Sequence, residues 1–270
     1  MTTVETATEI TAEAPRLNRG VPWWRRWSAT LLYVVVALLA WEAYVRIANV
    51  PVYMLPSPVA VLQELGRIIS NGVLWPNLLY TIRNILFGFF SGIVIGIGLG
   101  WILYSSTWVR RILSPYIVVL QAAPKIAIAP LLVLWFGLGL PSQLTLIVLL
   151  AFFPMMMAML LGLYSISDDV HSLGKLLNLS GSQYFRMIQI PGAMPSLLAG
   201  AKIAVVDSMT GAFLAEYISA QRGLGYLMVL GNTTYNTPLL MAAVLLTVIV
   251  GLSGYALLAT LESRLLRWRG

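Results

Sequence analysis

Cysteine is absent from the chain and histidine occurs once, as His171. The first absence excludes disulfides, iron–sulfur clusters and thiolate nucleophiles, and the two together remove most zinc and haem ligation. No metal site and no bound cofactor are expected on this chain. Charge is scarce too: 10% of the residues are charged, against roughly 25% in an ordinary soluble domain. There is no HExxH and no nucleophile–base motif, and Gly174-Lys175 is followed by Leu176, so no phosphate-binding loop forms. The chain is expected not to be an enzyme and not to hydrolyse ATP itself.

What fills the sequence is apolar. Of 270 residues 59% are hydrophobic, and the mean hydropathy is +0.84. A core of this length cannot bury so much apolar surface from water, so the surrounding solvent must be a bilayer. The net charge of +7 would suggest nucleic acid in a soluble protein. Here the basic residues flank apolar runs and read as topology signals, so lipid and not nucleic acid is the expected partner.

The fold class expected is an all-α membrane protein with six transmembrane helices. Residues 1–27 read as a cytoplasmic disordered tail, polar at first and ending in Trp23, Trp24, Arg25, Arg26 and Trp27. The first span is expected over Ser28–Ala48, within a 28–77 segment that also carries a surface helix. In that helix, inside Leu55–Ser70, the apolar face is expected to be Val59, Leu62, Leu65 and Ile69. Charge-free stretches then place spans over Asn84–Val109, Leu113–Phe136, Leu144–Leu163, Ala193–Ile218 and Leu239–Thr260. The third and fourth divide at Gly137, Gly139, Pro141 and Ser142. Residues 78–262 form the main transmembrane domain, and 263–270 a basic tail. Lys and Arg concentrate on one set of loops, including Arg110, Arg111, Lys175, Arg186 and Arg264, against Arg46, Arg67 and Arg222 on the other. Both termini are therefore expected in the cytoplasm.

Gly88, Gly92, Gly96 and Gly100 recur every fourth residue and line one face of the second span, either for packing within the subunit or as a dimer seam. The longest polar interruption, Ser165–Pro191, reads as two short helices after a Ser167/Asp168 cap, broken at Ser180-Gly181. The first carries Val170, Leu173, Leu176, Leu177 and Leu179 as an apolar face, the second Tyr184, Phe185 and Ile188. Such a pair either presents itself to a partner or packs on its own bundle. Ionisable groups inside spans cost roughly 2.5–3.5 kcal/mol at the centre, so Lys125, Asp207 and Glu216 need water, a partner or a role. With Thr210 they are the candidates for a translocation path or gate. A structural pairing of Asp207 with Lys125 or Lys202 is the alternative. Met155, Met156 and Met157 read as packing.

In the Ser165–Pro191 segment the residues resemble a family: the inner-membrane permease subunits of bacterial ABC importers of the nitrate/sulfonate/taurine type. The family's cytoplasmic signature runs Glu-Ala-Ala, three residues, Gly, nine residues, Ile, one residue, Leu-Pro. Aligned on Pro191, it sets Ile190 at the leucine, Ile188 at the isoleucine, Asn178 at the glycine and Ser172-Leu173-Gly174 at Glu-Ala-Ala. Ser172 brings no carboxylate, whereas Asn178 can adopt the positive φ of the glycine it replaces. Leu55-Pro56-Ser57-Pro58, the stretch Ala123–Gly139, Ala151-Phe152-Phe153-Pro154 and Gly223-Leu224-Gly225-Tyr226-Leu227 are similar to the family as well, so the resemblance covers roughly residues 50–268.

The resemblance implies the type I importer permease fold in the bacterial inner membrane. It also implies a permease homodimer, two ATP-binding partner subunits that use the ATP, and an extracytoplasmic solute-binding protein. Asp169, His171, Ser172, Leu173, Gly174, Asn178, Ser180, Tyr184, Ile188 and Pro191 would then couple to the ATPase. The stretch Ala123–Gly139 looks most like carriers of riboflavin or thiamine pyrimidine precursors, with sulfonate, taurine and nitrate as alternatives. An ion-coupled secondary transporter using Lys125, Asp207 and Glu216 is the competing reading from another class.

Overall fold

The computed structural model describes residues 23–219 and 221–265, without the side chains of 23–31, 125 and 126. The polar tail over 1–22 and the end of the basic tail, 266–270, lie outside the described residues, as does the Lys125 side chain. Two units are distinguished, Met1–Val50 and Pro51–Gly270. The described part of the first is the helix α1 (Trp23–Ile47), on the expected first span. Leu32, Tyr33 and Leu39 stand exposed on it, and Arg46 is bonded to Glu42 one turn earlier at 2.5 Å.

The second unit opens with α2 (Pro58–Ser70), started by Pro58 and capped by Ser57, whose Oγ accepts the Ala60 N–H at 3.2 Å. Its buried side chains are Val61 and Ile68, while Val59, Leu62 and Ile69 of the expected apolar face are exposed. The helix is apolar on more than one face, so periodicity alone did not decide which one meets the protein.

Next comes α3 (Leu74–Ser105), which begins well before the expected Asn84. Arg83 is compatible with a continuous helix because its guanidinium leaves the core and lies over the Tyr80 ring, 5.1 Å from its centre. Ser106 is extended, ends α3 and caps α4 (Thr107–Ala122) by accepting the Val109 N–H at 3.3 Å. The third span is not the straight rod expected over Leu113–Phe136. It is divided between α4 and α5 (Lys125–Phe136), which meet at 109°. Ala123 is extended with ψ 136°, because the ring of Pro124 disfavours helical geometry in the residue before it.

Gly137 and Gly139, at φ 78° and 104°, make the turn into α6 (Leu140–Tyr164). After it come α7 (Asp168–Leu176), the single turn α8 (Gly181–Tyr184), a π-helical turn over Phe185–Gln189, and α9 (Ile190–Ser219). The second short helix is therefore not free-standing: residues 181–219 run as one 39-residue helical stretch. The unit closes with α10 (Leu224–Thr233) and α11 (Thr237–Leu265), so the basic tail expected from 263 starts inside a helix. Among the described residues four stretches are long and apolar enough to cross a membrane, or five if α4 and α5 are counted as one.

The centre of the unit is α6, packed between α3 and α9. Lipid tails are as apolar as leucine, so helices gain little by hiding leucines from them and must gain by close approach. The glycine stripe provides it. A Cβ on Gly92 would lie 2.5 Å from the Ala151 Cβ, and one on Gly96 2.6 Å from the Phe152 carbonyl oxygen. A Cβ on Gly100 would lie 2.7 Å from the Met156 carbonyl oxygen. On the other side of α6, a Cβ on Gly200 would meet that of Ala158 at 2.3 Å. Met155 and Met156 are buried in these contacts, and Met157 is exposed. Gly96→Leu should therefore cost about 1–3 kcal/mol through overpacking. Gly98→Ala, whose Cβ would meet nothing within 4 Å, should leave thermal unfolding in detergent unchanged or slightly raised.

Candidate functional site

Two groups of residues stand out, at opposite ends of the stretch 181–219. The first is the turn between α7 and α8. Asn178 has φ 47°, the left-handed geometry that glycine takes without cost, and the Leu179 N–H returns to the Gly174 carbonyl at 3.3 Å. Ser180 then starts α8 with a capping box: its Oγ accepts the Gln183 N–H at 3.4 Å, and the Gln183 side chain accepts the Ser180 N–H at 2.9 Å. Ser167 sits at the start of α7 with no side-chain cap bond. Gly174 lets the two arms touch, since a Cβ there would lie 2.7 Å from Ile188 Cδ1 and 2.8 Å from Tyr184 Cε2. The His171 ring is stacked on Tyr184, with its Nδ1 hydrogen-bonded to the Tyr184 hydroxyl.

Of the expected coupling residues the structure thus brings together His171, Gly174, Asn178, Ser180, Tyr184 and Ile188. Asp169, Ser172 and Leu173 lie exposed on α7, and Pro191 is half-buried where α9 begins. The apolar face does not fold back on the bundle: Leu173, Leu176 and Leu177 are 52%, 80% and 60% exposed. Behind them the π turn is held to α3, where the Trp101 Nε1–H donates to Gln189 Oε1 at 3.1 Å and the Trp101 ring meets Phe185 edge-on.

The second group lies at the far end, where α3 and α9 meet α10. Three successive backbone N–H groups at the start of α10 donate to buried side chains: Gly223 to Asn77 Oδ1 at 2.8 Å, Leu224 to Thr81 Oγ1 at 2.9 Å, and Gly225 to Glu216 Oε2 at 3.0 Å. The Thr81 hydroxyl also donates to Glu216 Oε2, at 2.8 Å. A helix start offers unpaired donors and a positive dipole end, which suits a carboxylate. Gly223 is required, because it has φ 115° and a Cβ there would lie 2.3 Å from Glu216 Oε2. Beside this clasp Gln143 of α6 accepts from the Tyr80 hydroxyl at 3.0 Å and from Asn84 Nδ2 at 3.2 Å, and donates to Ser219 Oγ at 3.3 Å. In a bilayer a polar group left unpaired is costly, and in this cluster Glu216 Oε1 is buried without a hydrogen-bond partner.

The candidate path residues do not converge. Glu216 is buried in the clasp, whereas Asp207 is half-buried and Thr210 exposed further back along α9. Lys202 is bonded to Glu262 of α11 at 2.6 Å. Sequence reasoning found Glu216 but missed Asn77, Thr81, Asn84, Gln143 and Ser219. A signal was present in α3, where Asn77, Thr81 and Asn84 continue the face of Gly88, Gly92, Gly96 and Gly100 at helical spacing. No group of three or more His, Cys, Asp or Glu able to hold a metal occurs among the described residues.

Comparison with known proteins agrees with this architecture. The chain is 32% identical over 244 residues to the riboflavin transport system permease protein RibX of Chloroflexus aurantiacus, covering 90% of this chain and 91% of that one. It is 32% identical over 238 residues to the formylaminopyrimidine transport permease protein ThiX of Halalkalibacterium halodurans, covering 88% and 94%. Relatives at 26–29% identity are named as sulfonate and taurine permeases. Among solved structures, one of the inward-facing MetNI methionine ABC transporter superposes with a TM-score of 0.61 at 19% identity, covering 73% of this chain and 97% of that one, a likeness of fold. These relatives are transport components and not enzymes. The model of the family described as "Binding-protein-dependent transport system inner membrane component" matches residues 92–267, and the chain belongs to that family, the membrane-spanning permease subunits of ABC transporters.

Proposed function

We propose that the chain forms the translocation path of an importer for a vitamin-related heterocycle of the riboflavin or thiamine-pyrimidine type. The named relatives at 32% identity support that class over sulfonate, taurine or nitrate. The solute is delivered by an extracytoplasmic binding protein, and the ATP is used by two separate ATP-binding subunits. Two copies of this chain pair as a homodimer. Both termini and residues 165–191 lie in the cytoplasm, in keeping with the excess of Lys and Arg on that set of loops.

One observation carries the reading: a rigid, glycine-fitted turn presents exposed Leu173, Leu176 and Leu177 at the start of the longest helical stretch. Apolar side chains on a short amphipathic helix outside the spans fit the groove of a partner. Asn178 holds the turn that the family signature assigns to glycine, and His171 and Tyr184 brace it. Family membership favours this ATP-driven import over an ion-coupled carrier. Asp207, Thr210 and Lys125 are then residues of the path, and Glu216 belongs to its far-end gate.

Affinity purification of the tagged chain in mild detergent should yield a complex of two copies with two ATPase subunits by native mass spectrometry. Leu176→Glu should reduce ATPase recovery tenfold or more while the purified permease unfolds at the same temperature. Recovery of the ATPase unchanged by that substitution would remove the docking role. In uptake assays, riboflavin or formylaminopyrimidine should enter where taurine does not, and the reverse result would assign the sulfonate class.

A further inference from the structure

The corner between α3 and α4 lies at the same end of the unit as the α7–α8 turn. One turn before α3 stops, Trp101 bonds to Gln189, and Tyr164, the last residue of α6, packs edge-on against Tyr104 with ring centres 5.2 Å apart. Two arginines, Arg110 and Arg111, stand side by side in the opening residues of α4. Arg110 is aimed by Tyr164: its guanidinium lies over that ring, 5.9 Å from the centre, and its Nη1 donates to the Tyr164 hydroxyl. Arg111 is exposed, as are Ser105, Thr107 and Trp108 before it in the chain. Neither guanidinium has a carboxylate within 4.0 Å among the described residues, and the acids of this end, Asp168 and Asp169, open α7. Two uncompensated arginines in succession are unusual in a chain with so little charge.

The apolar side chains of α4 divide between two faces. Val109, Leu113 and Ile117 seat the helix on the core of Leu103, Phe153 and Met156. Away from that core Trp108, Ile112 and Tyr116, at helical spacing, form a ridge that is 71%, 42% and 64% exposed. Side chains lean toward the N-terminus of their helix, which carries the two guanidiniums to the mouth of the span, and a tryptophan at the mouth is the usual mark of headgroup depth. Guanidinium matches phosphate with two parallel hydrogen bonds, and Arg110 loses little freedom in making them because Tyr164 already holds it. We infer that the α3–α4 corner binds the phosphate of an anionic phospholipid, with Arg110 and Arg111 on the headgroup and the ridge of Trp108, Ile112 and Tyr116 against an acyl chain. The inference rests on the import reading, which sets this end of the bundle in the cytoplasm, where the leaflet surface is negative.

The test uses the full chain purified in mild detergent with the subunits that accompany it. Bound lipid is counted by native mass spectrometry as phosphatidylglycerol or phosphatidylcholine is titrated in, and the unfolding temperature is read in parallel. Phosphatidylglycerol should be retained and should raise the unfolding temperature where phosphatidylcholine does neither. Arg110→Gln combined with Arg111→Gln should weaken phosphatidylglycerol binding about tenfold or more, and the two lysine replacements should weaken it less. Should the double variant not fold, Arg111→Gln alone, at an exposed side chain, gives the same reading with a smaller shift. Equal retention of the two lipids, or phosphatidylglycerol binding unchanged in folded variants, would overturn the inference. So would displacement of phosphatidylglycerol by an equal concentration of inorganic phosphate, which would assign the corner to a soluble anion. Loss of the ATPase with lipid binding intact would overturn it too and assign the corner to that subunit. Because the chain lacks cysteine, Thr107→Cys reports separately on the side of the membrane. Labelling of that cysteine from outside by an impermeant maleimide in spheroplasts would overturn the topology of the import reading, whereas a failure of lipid binding leaves that topology standing.

Discussion

Close approach between helices is the constraint on which the rest of this structure depends. In water the hydrophobic effect would drive α3, α6 and α9 together, whereas in lipid that drive is nearly absent and contact energy must come from dense packing and polar pairing. The chain uses both along a single face of α3. Gly88, Gly92, Gly96 and Gly100 bring its backbone within reach of α6, and Asn77, Thr81 and Asn84 carry the same face on into hydrogen bonds with Gln143, Glu216 and the start of α10. Glu216 is tolerable in an apolar setting only because backbone N–H groups at a helix start, a hydroxyl and a missing Cβ at Gly223 are arranged around it. Removing the glycine packing would separate the helices that hold those donors in place.

That arrangement makes α9 a connector. The stretch 181–219 would span about 58 Å if straight at 1.5 Å per residue, from the exposed leucines of the α7–α8 turn to the clasp. Near its start the π turn of residues 185–189 is tied to Trp101 of α3, and near its end Ser219 and Glu216 are tied to α6, α3 and α10. The stretch is thus bonded to α3 near its start and to α6, α3 and α10 near its end. A π turn is a common place for a helix to accommodate such a change without losing its hydrogen bonds. A single helical stretch joins the two groups of residues.

Much of this was legible in the sequence, for identifiable reasons. Five of the six expected spans fall on α3, the α4–α5 pair, α6, α9 and α11, because uninterrupted apolar length is what a bilayer demands and composition displays it directly, whereas α1, on the expected first span, is not among the stretches long and apolar enough to cross. The left-handed turn at Asn178 was legible only through the family signature, which sets Asn178 at a glycine. Less legible was anything decided by contact. Which apolar side chains of α2 meet the protein was not legible, since Val59 and Leu62 look no different in sequence from the buried Val61 and Ile68. The break at Pro124 was hidden inside a charge-free run that continues on both sides. Arg83 borders a charge-free run without ending its helix, because a long side chain can leave the core while the helix continues. The pairing within the clasp could not be read, because Thr81 and Glu216 are 135 residues apart. Half of it was nonetheless written at helical spacing in α3.

On the proposed reading, this chain moves a solute only when a partner ATPase drives it through residues 165–191. Proteoliposomes holding the purified complex, with binding protein and solute outside and nucleotide inside, test this most directly. Uptake should require hydrolysable ATP, stop with a non-hydrolysable analogue, and survive an uncoupler that collapses the proton gradient. Uptake that persists without ATP and ceases on uncoupling would rule out ATP-driven import and make Asp207 and Glu216 of α9 an ion relay instead.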